Sequence, residues 1–241
     1  MTRLFIILFS LTITMYFTLQ AYLLKFNGKS TIDIINRLPL LFAPANYVYY
    51  LWLIVFIFLF LWANKYWSLR NTEKSITNLQ TIFISCIMLL QISNLICWHY
   101  EYFLQSLILF FIQLLLMFAL YLTYPLKNEM LRIRIPVAIY FGWSTYLFIL
   151  QFCYILVYYG WEGFGLSNAL WAVIVMTVGT AIALHLRYHY YDIIFPIIFI
   201  WCYIGIVIAN GFDELLVSTA ALFLSGVMIA GIFFMKKNPA R

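Results

Sequence analysis

Eight runs of apolar residues, separated by short polar segments, follow one another along the chain. Each run approaches the length of about 20 residues that a helix needs to cross about 30 Å of hydrocarbon. The predicted spans are residues 4–24, 44–63, 79–97, 103–121, 135–158, 168–186, 193–209 and 215–235. No linker or low-complexity tract interrupts them. The pattern therefore predicts an all-α fold: one polytopic integral membrane helical bundle over residues 1–241, with about eight transmembrane helices.

The distribution of lysine and arginine predicts the orientation of this bundle. If every span crosses, three basic residues fall on one side: Lys25, Lys29 and Arg37. The other eleven fall on the opposite side: Arg3, Lys65, Arg70, Lys74, Lys127, Arg132, Arg134, Arg187, Lys236, Lys237 and Arg241. Because basic residues collect in cytoplasmic loops, both termini are predicted to be cytoplasmic, in a plasma or inner cell membrane.

The composition agrees with a lipid bilayer as the environment. Hydrophobic residues make up 66% of the chain and charged residues 9%, whereas soluble domains carry about 25% charged residues. The net charge of +6 is spread between the spans rather than gathered in one patch, so no nucleic-acid partner is predicted. The four cysteines lie in apolar runs without short paired spacing, which argues against a disulfide framework or a zinc site.

Two prolines stand at the predicted starts of spans. Pro44 opens the second span, and Pro136 opens the fifth, where a missing backbone N–H costs nothing. Just before Pro136, Arg132 and Arg134 are expected to lie among lipid headgroups. Each proline is followed by tyrosine and tryptophan, a weak sign of the inverted repeats found in transporters.

Aromatic residues crowd the start of the second span: Tyr47, Tyr49, Tyr50 and Trp52. Two interpretations are open. The residues form an aromatic belt at the level of the headgroups, or they form a lid over a cavity between helices.

Amide side chains inside the spans are the strongest candidates for polar chemistry. Gln91 and Asn94 are three residues apart and share a helical face, with Trp98 one turn further. Gln113 and Gln151 lie in the fourth and fifth spans. Such amides commonly join helices by hydrogen bonds; the alternative is that some converge on a ligand.

The sequence offers few residues suited to acid–base catalysis or metal binding. No charged residue lies near the middle of a span, so neither a proton relay nor an ion-coupled carrier is predicted. His185 and His189 share a helical face, but without further ligands they are expected to be solvated rather than bound to metal or haem. His99 and Glu101 are expected to face water in a tight outer turn. The sequence predicts no enzyme.

Four segments carry a resemblance to a known family. The second span is entered through Phe42-Ala-Pro44-Ala-Asn-Tyr47-Val-Tyr49-Tyr50-Leu-Trp52, and the third ends Cys97-Trp98-His99-Tyr100-Glu101. The fifth opens Arg134-Ile-Pro136-Val-Ala-Ile-Tyr140-Phe-Gly142-Trp143 and is followed by Gly160-Trp161-Glu162-Gly163-Phe164-Gly165-Leu166-Ser167. In this order along eight spans, the segments resemble the tryptophan-rich sensory proteins, the TspO/MBR or translocator-protein-like family, in its long bacterial branch.

The resemblance implies a pocket for a flat apolar ligand, such as a tetrapyrrole (a porphyrin or haem) or a sterol. The first loop would roof this pocket, sensing or transport would follow from binding, and no cofactor would be required. The predicted ligand-binding residues are Pro44, Tyr47, Trp52, Gln91, Asn94, Trp98, Tyr140, Trp143 and Gln151.

Two alternatives to ligand binding remain open. One is a transporter of a neutral solute. The other is a non-catalytic scaffold, assembly partner or homo-oligomer that packs through pairs of small residues four apart, such as Gly179 with Ala183 and Gly226 with Ala230.

Overall fold

The computed structural model describes residues 2–72, 75–124 and 128–235. Within this part the chain is 82% helical and forms no strand, which confirms the predicted all-α class. Seven of its helical segments are long and apolar enough to cross a membrane, and an eighth helix is apolar but shorter. A polytopic helical membrane protein is therefore confirmed.

The helices follow the predicted spans, with ends displaced by a few residues. They are α1 Thr2–Tyr22, α2 Thr31–Ile35, α3 Leu51–Ser68, α4 Asn78–His99, α5 Phe103–Leu122, α6 Asn128–Tyr158, α7 Asn168–Tyr190, α8 Ile194–Asn210 and α9 Leu215–Phe234. Short 3-10 turns lie in the connections, at Phe26–Gly28, Asn46–Tyr50 and Gly163–Gly165. The short helix α2 falls in the long segment between the first two predicted spans.

Side-chain caps explain where several helices begin. Thr77 and Gln80 form a reciprocal capping box at the start of α4, with both hydrogen bonds 3.2 Å long. The Ser167 hydroxyl accepts from the backbone N–H of Leu170 at the start of α7. Before α8, Asp192 accepts from the first N–H groups of the helix. Each cap satisfies donors that a helix start otherwise leaves unpaired.

The predicted roles of the two prolines as helix starts are wrong. Pro44 lies in the connection, because α3 begins only at Leu51, after a 3-10 turn. Pro136 lies inside α6, which begins at Asn128. A proline within a membrane helix is tolerated when its surroundings satisfy the freed carbonyl. Since the two prolines occupy different local structures, the suggested inverted repeat loses its basis.

The helices group into two compact units. The first contains Met1–Ile34 and Tyr50–Phe141, and the second contains Ile35–Tyr49 and Gly142–Arg241. In the first unit α1 packs against α3 and α4, and α4 packs against α5. In the second, α7, α8 and α9 pack against one another. Helix α6 supplies residues to both units, and a single transmembrane domain stays a prediction.

Arg134, predicted to lie among lipid headgroups, and His99, predicted to face water, are both buried instead. Arg134 is 3% exposed, its guanidinium carbon lies 3.9 Å from the centre of the Tyr121 ring, and one Nη donates to the Tyr121 hydroxyl. His99 is also buried, with Nε2 2.9 Å from the Thr31 hydroxyl and Nδ1 3.1 Å from the Phe26 carbonyl oxygen. The groups that cover them come from other parts of the chain: Tyr121 for Arg134, and Phe26 and Thr31 for His99.

The other basic residues fall partly beyond the described part of the chain. Arg187 is buried and donates to the Ile232 carbonyl at 2.9 Å. Lys74, Lys127, Lys236, Lys237 and Arg241, and the side chain of Arg132, lie outside the described residues. The predicted orientation of the termini therefore stays a prediction.

Pairs of small residues differ in their surroundings. Gly179 and Ala183 are buried on α7, where a Cβ added at Gly179 would lie 2.8 Å from Phe199. Gly226 and Ala230 are exposed on α9, and nothing lies within 4 Å of a Cβ added at Gly226. Of these two pairs, the α7 pair is buried and packs within the second unit, whereas the α9 pair does not.

Candidate ligand-binding site

Three buried polar side chains of the first unit form a hydrogen-bonded network across α4, α5 and α6. Gln113 Nε2 donates to Gln91 Oε1 at 2.8 Å and to the Tyr140 hydroxyl at 3.2 Å. The Tyr140 hydroxyl also donates to Gln91 Oε1, at 3.4 Å. Gln91 and Tyr140 are predicted site residues. In the structure both join helices by hydrogen bonds, as buried polar side chains in membrane proteins commonly do.

Three further predicted residues of the first unit are packed in its interior. The Ser106 hydroxyl donates to Asn94 Oδ1 and joins α5 to α4. Trp98 meets the edge of the Phe103 ring, with 4.8 Å between ring centres. Trp52 packs against several rings, those of Tyr22, Phe56 and Tyr140. These residues make contacts that stabilise the bundle.

In the second unit, the predicted residue Trp143 is the centre of an aromatic stack. Its ring stacks on Tyr146 with 5.9 Å between ring centres, and Tyr49 approaches it edge-on. The Tyr146 hydroxyl donates to the Phe42 carbonyl at 3.1 Å, and the two rings also touch. Trp143 therefore supports a side chain that holds Phe42 of the connection before α3. Gln151 is buried two turns further along α6.

The connection before α3, residues 35–49, is fastened to α8 of the same unit. The backbone N–H of Ala45 donates to the Gly205 carbonyl at 3.0 Å. Pro44 and Val48 lie against Gly205 so closely that a Cβ added there would be 3.0 Å from Pro44 Cβ and 2.3 Å from Val48 Cγ2. Tyr47 meets the Trp201 ring edge-on. The loop is thus a packed element of the second unit.

The same loop lines a cavity of about 430 Å³ within the second unit. The remaining walls come from the end of α6, the connection that follows it and the start of α7. The lining residues are Pro39, Leu40, Leu41, Phe42, Phe152, Cys153, Leu156, Val157, Trp161, Gly163, Phe164, Asn168, Trp171, Ala172 and Val175. Among them, Asn168 carries the one amide, which can both donate and accept hydrogen bonds, and most of the surface is apolar.

Two tryptophans build one wall of this cavity. The rings of Trp161 and Trp171 lie 4.7 Å apart, and Phe164 meets Trp161 edge-on at 5.5 Å. Trp171 Nε1 donates to the Gly163 carbonyl at 2.7 Å. A Cβ at residue 163 would lie 2.7 Å from that nitrogen, and the φ of +64° also favours glycine. Glycine therefore allows the N–H edge of the Trp171 indole to approach the connection closely.

None of the nine predicted residues lines this cavity, although Phe42 and Phe152 stand close to Pro44 and Gln151 in the chain. The sequence reasoning overlooked Trp161 and Trp171 as a pair. Their signal is present: two tryptophans flank a glycine-rich turn just before the Ser167 helix cap. That the predicted set binds a ligand stays a prediction.

The histidine pair of α7 offers little for a metal. His185 and His189 are exposed, with ring centres 4.3 Å apart. In the described part of the chain, no group of three or more His, Cys, Asp or Glu side chains could hold a metal ion.

Comparison with known proteins places these features in a family. A family model described as TSPO-like protein matches residues 4–234, nearly the whole chain. No curated protein and no solved structure matches it.

Proposed function

The chain belongs to the TSPO-like protein family, as the resemblance predicted, and from this premise we propose that it binds a flat apolar small molecule without catalysing a reaction. The observation that carries the proposal is the aromatic-walled cavity of the second unit. Ligand pockets of about 300–1,000 Å³ are mostly apolar and hold a few placed polar groups. A cavity of about 430 Å³ with one amide fits that description.

The chemistry of the walls indicates the class of ligand. The faces of aromatic rings favour a planar π-system, which gains stacking energy beyond the burial of its surface. Trp161 and Trp171 offer such faces, and Asn168 can donate or accept one hydrogen bond at the rim. A porphyrin or haem is the tetrapyrrole that the family resemblance suggests, held as ligand rather than as required cofactor.

The predicted residues enter this proposal as supports of the cavity. Trp143 holds Tyr146, and Tyr146 holds the Phe42 backbone at the cavity wall. Pro44 packs against Gly205 and fixes the same loop on α8. Sensing or transport would follow if binding changes the position of this loop.

We also propose a plasma or inner cell membrane with cytoplasmic termini. Arg3, Lys65 and Arg70 lie at the start of α1 and around the end of α3, whereas Lys25 and Lys29 lie beyond the opposite end of α1. This asymmetry supports the orientation, since basic residues favour the cytoplasmic side.

The test is a titration of the purified protein with protoporphyrin IX, followed by quenching of tryptophan fluorescence. Trp161→Leu removes one aromatic face while keeping an apolar side chain. Trp67→Leu is the control, because Trp67 is a partly exposed tryptophan on α3 of the first unit and lines neither the cavity nor the loop beside it. Loss of stacking worth about 0.5–1.5 kcal/mol should weaken binding roughly two- to twelvefold in the first variant.

The control should bind as the wild type does. Equal affinity in all three proteins would mean that the porphyrin does not contact Trp161. Quenching that never saturates would mean that the porphyrin only partitions into the detergent micelle. Either result would remove the cavity from the proposal.

A further inference from the structure

A second, polar cavity lies at one end of the first unit. It has a volume of about 220 Å³, and its lining includes Arg3, Arg70, Ser75 and Tyr66. Thr2, Arg3 and Leu4 open α1, Arg70 follows the end of α3, and Ser75 and Ile76 precede α4. Three separate segments of the chain thus meet around it.

Two arginines from different segments are held at this cavity. Arg3 Nη1 donates to the Ile76 carbonyl at 3.0 Å. Arg70 Nη1 donates to the Trp67 carbonyl at 3.0 Å, and its guanidinium carbon lies 5.5 Å from the centre of the Trp67 ring. Trp67 also meets the Phe5 ring edge-on, which ties α3 to α1. A guanidinium carries five N–H donors. One such bond positions the group and uses only one of these donors.

The charge of the lining is positive. The lining residues that the structure describes include two arginines and no acidic residue. The hydroxyls of Thr2 and Ser75 add neutral donors, and the first N–H groups of a helix such as α1 have no partner within the helix. An anion bound in the cavity would stabilise the two positive charges that the fold brings together there.

We propose that this cavity binds the phosphate group of a phosphate ester, with Arg3 and Arg70 as its two charged contacts. A tetrahedral phosphate presents oxygens in several directions, which suits donors that arrive from three segments, and arginine pairs with it through two parallel bonds. The cavity lies where α1 begins and α3 ends, at the boundary of apolar helices where lipid phosphates are found. The same chemistry could come from a lipid headgroup or from a soluble phosphate ester.

The experiment uses the full-length protein, delipidated in detergent, and native mass spectrometry. One arm compares phosphatidic acid with diacylglycerol of the same acyl chains, which lacks only the phosphate. The other arm adds inorganic phosphate, alone and as a competitor of phosphatidic acid. Displacement by inorganic phosphate, or binding of it alone, would assign the site to soluble esters; retention of the lipid would assign it to the headgroup.

The variants separate a defined site from general positive charge. Arg70→Gln leaves the bond of Arg3 to Ile76 in place, and Arg3→Gln/Arg70→Gln removes both charges. Each should weaken phosphatidic acid binding by about tenfold or more, the effect of losing one hydrogen bond to a charged group. Lys65→Gln is the matched control, since Lys65 is an exposed cation on α3 outside the cavity.

Lys65→Gln should change the affinity by about fivefold or less, since an exposed charge contributes little. An equal loss in Lys65→Gln and Arg70→Gln, or equal binding of diacylglycerol and phosphatidic acid, would overturn the proposal. Both outcomes are independent of porphyrin binding, which concerns the other unit.

Discussion

Gly205 of α8 lies in close contact with the connection before α3, and Gly205→Ala tests that contact. The added Cβ would lie 2.3 Å from Val48 Cγ2 and 3.0 Å from Pro44 Cβ. Carbon atoms in favourable contact are about 3.5–4.0 Å apart. Val48 would therefore have to move by roughly 1.2 Å or more, and it is fully buried and β-branched, so no alternative rotamer is freely open to it.

The expected cost can be worked out from these contacts. Inserting a carbon into a packed interior costs about 1–3 kcal/mol. Displacement of the loop would also weaken the bond from Ala45 N–H to the Gly205 carbonyl, worth about 0.5–1.5 kcal/mol. Alanine in a helix gains up to about 1 kcal/mol over glycine, which offsets part of the loss. Gly226→Ala gains the same propensity without a contact, because open space surrounds that position.

The propensity gain cancels between the two variants, so the difference should be about 1–4.5 kcal/mol, with Gly205→Ala the less stable. The assay is unfolding in mixed micelles titrated with SDS, followed by the reaction of Cys202 with a fluorogenic maleimide. Cys202 is fully buried on α8, three residues before Gly205, and the other three cysteines are replaced by alanine. Equal unfolding free energies for the two variants would refute the close approach. Val48→Ala in the Gly205→Ala background should recover part of the loss.

Three further predictions concern other contacts. Thr77→Ala removes the capping box of α4 and should cost about 1 kcal/mol of unfolding free energy, whereas Thr12→Ala, on the exposed side of α1, should cost far less; equal losses would argue against the cap. Gln113→Leu removes two interhelical hydrogen bonds of about 0.6 kcal/mol each. In the same SDS titration, the double variant with Gln91→Leu should lose less unfolding free energy than the sum of the two single variants, because they share one bond. Gly163→Ala should displace the Trp171 indole, since the Cβ would lie 2.7 Å from Nε1; a shift in tryptophan emission and weaker porphyrin binding are expected, and an unchanged spectrum would contradict this packing.

The spans could be predicted because their signal is local. Each apolar run contains its own evidence in about 20 residues, and the described helices follow those runs closely. The start of α6 could not be found in this way. Residues 128–134 are polar enough to suggest a connection, yet the helix continues through them beyond the apolar run and includes Pro136.

The surroundings of single polar residues depend on partners that the local pattern does not name. Arg134 is buried because Tyr121, thirteen residues earlier, supplies a ring face and a hydroxyl. His99 is buried because Phe26 and Thr31, from the first connection, return to the end of α4. Hydropathy alone cannot anticipate either contact, since both arise from long-range packing.

The cavity escaped prediction for the same reason. Its walls come from residues 39–42 and from residues 152–175, and only the folded second unit brings these segments together. Of the predicted aromatic residues, Trp52, Trp98 and Tyr140 are buried in the first unit and Trp143 is buried in the second. In a strongly apolar and aromatic sequence, the residue pattern predicts which side chains are buried more readily than where a cavity remains between them.

Helix α8 has a consequence for the membrane around the protein. Its seventeen residues extend about 26 Å at 1.5 Å per residue, less than the roughly 30 Å of an average hydrocarbon core. Ile197, Trp201, Ile204 and Ile208 form an exposed apolar row along the helix. A short hydrophobic face is matched by local thinning of the bilayer. We therefore expect the protein to concentrate in thinner regions of its membrane and to be most stable in lipids with short acyl chains.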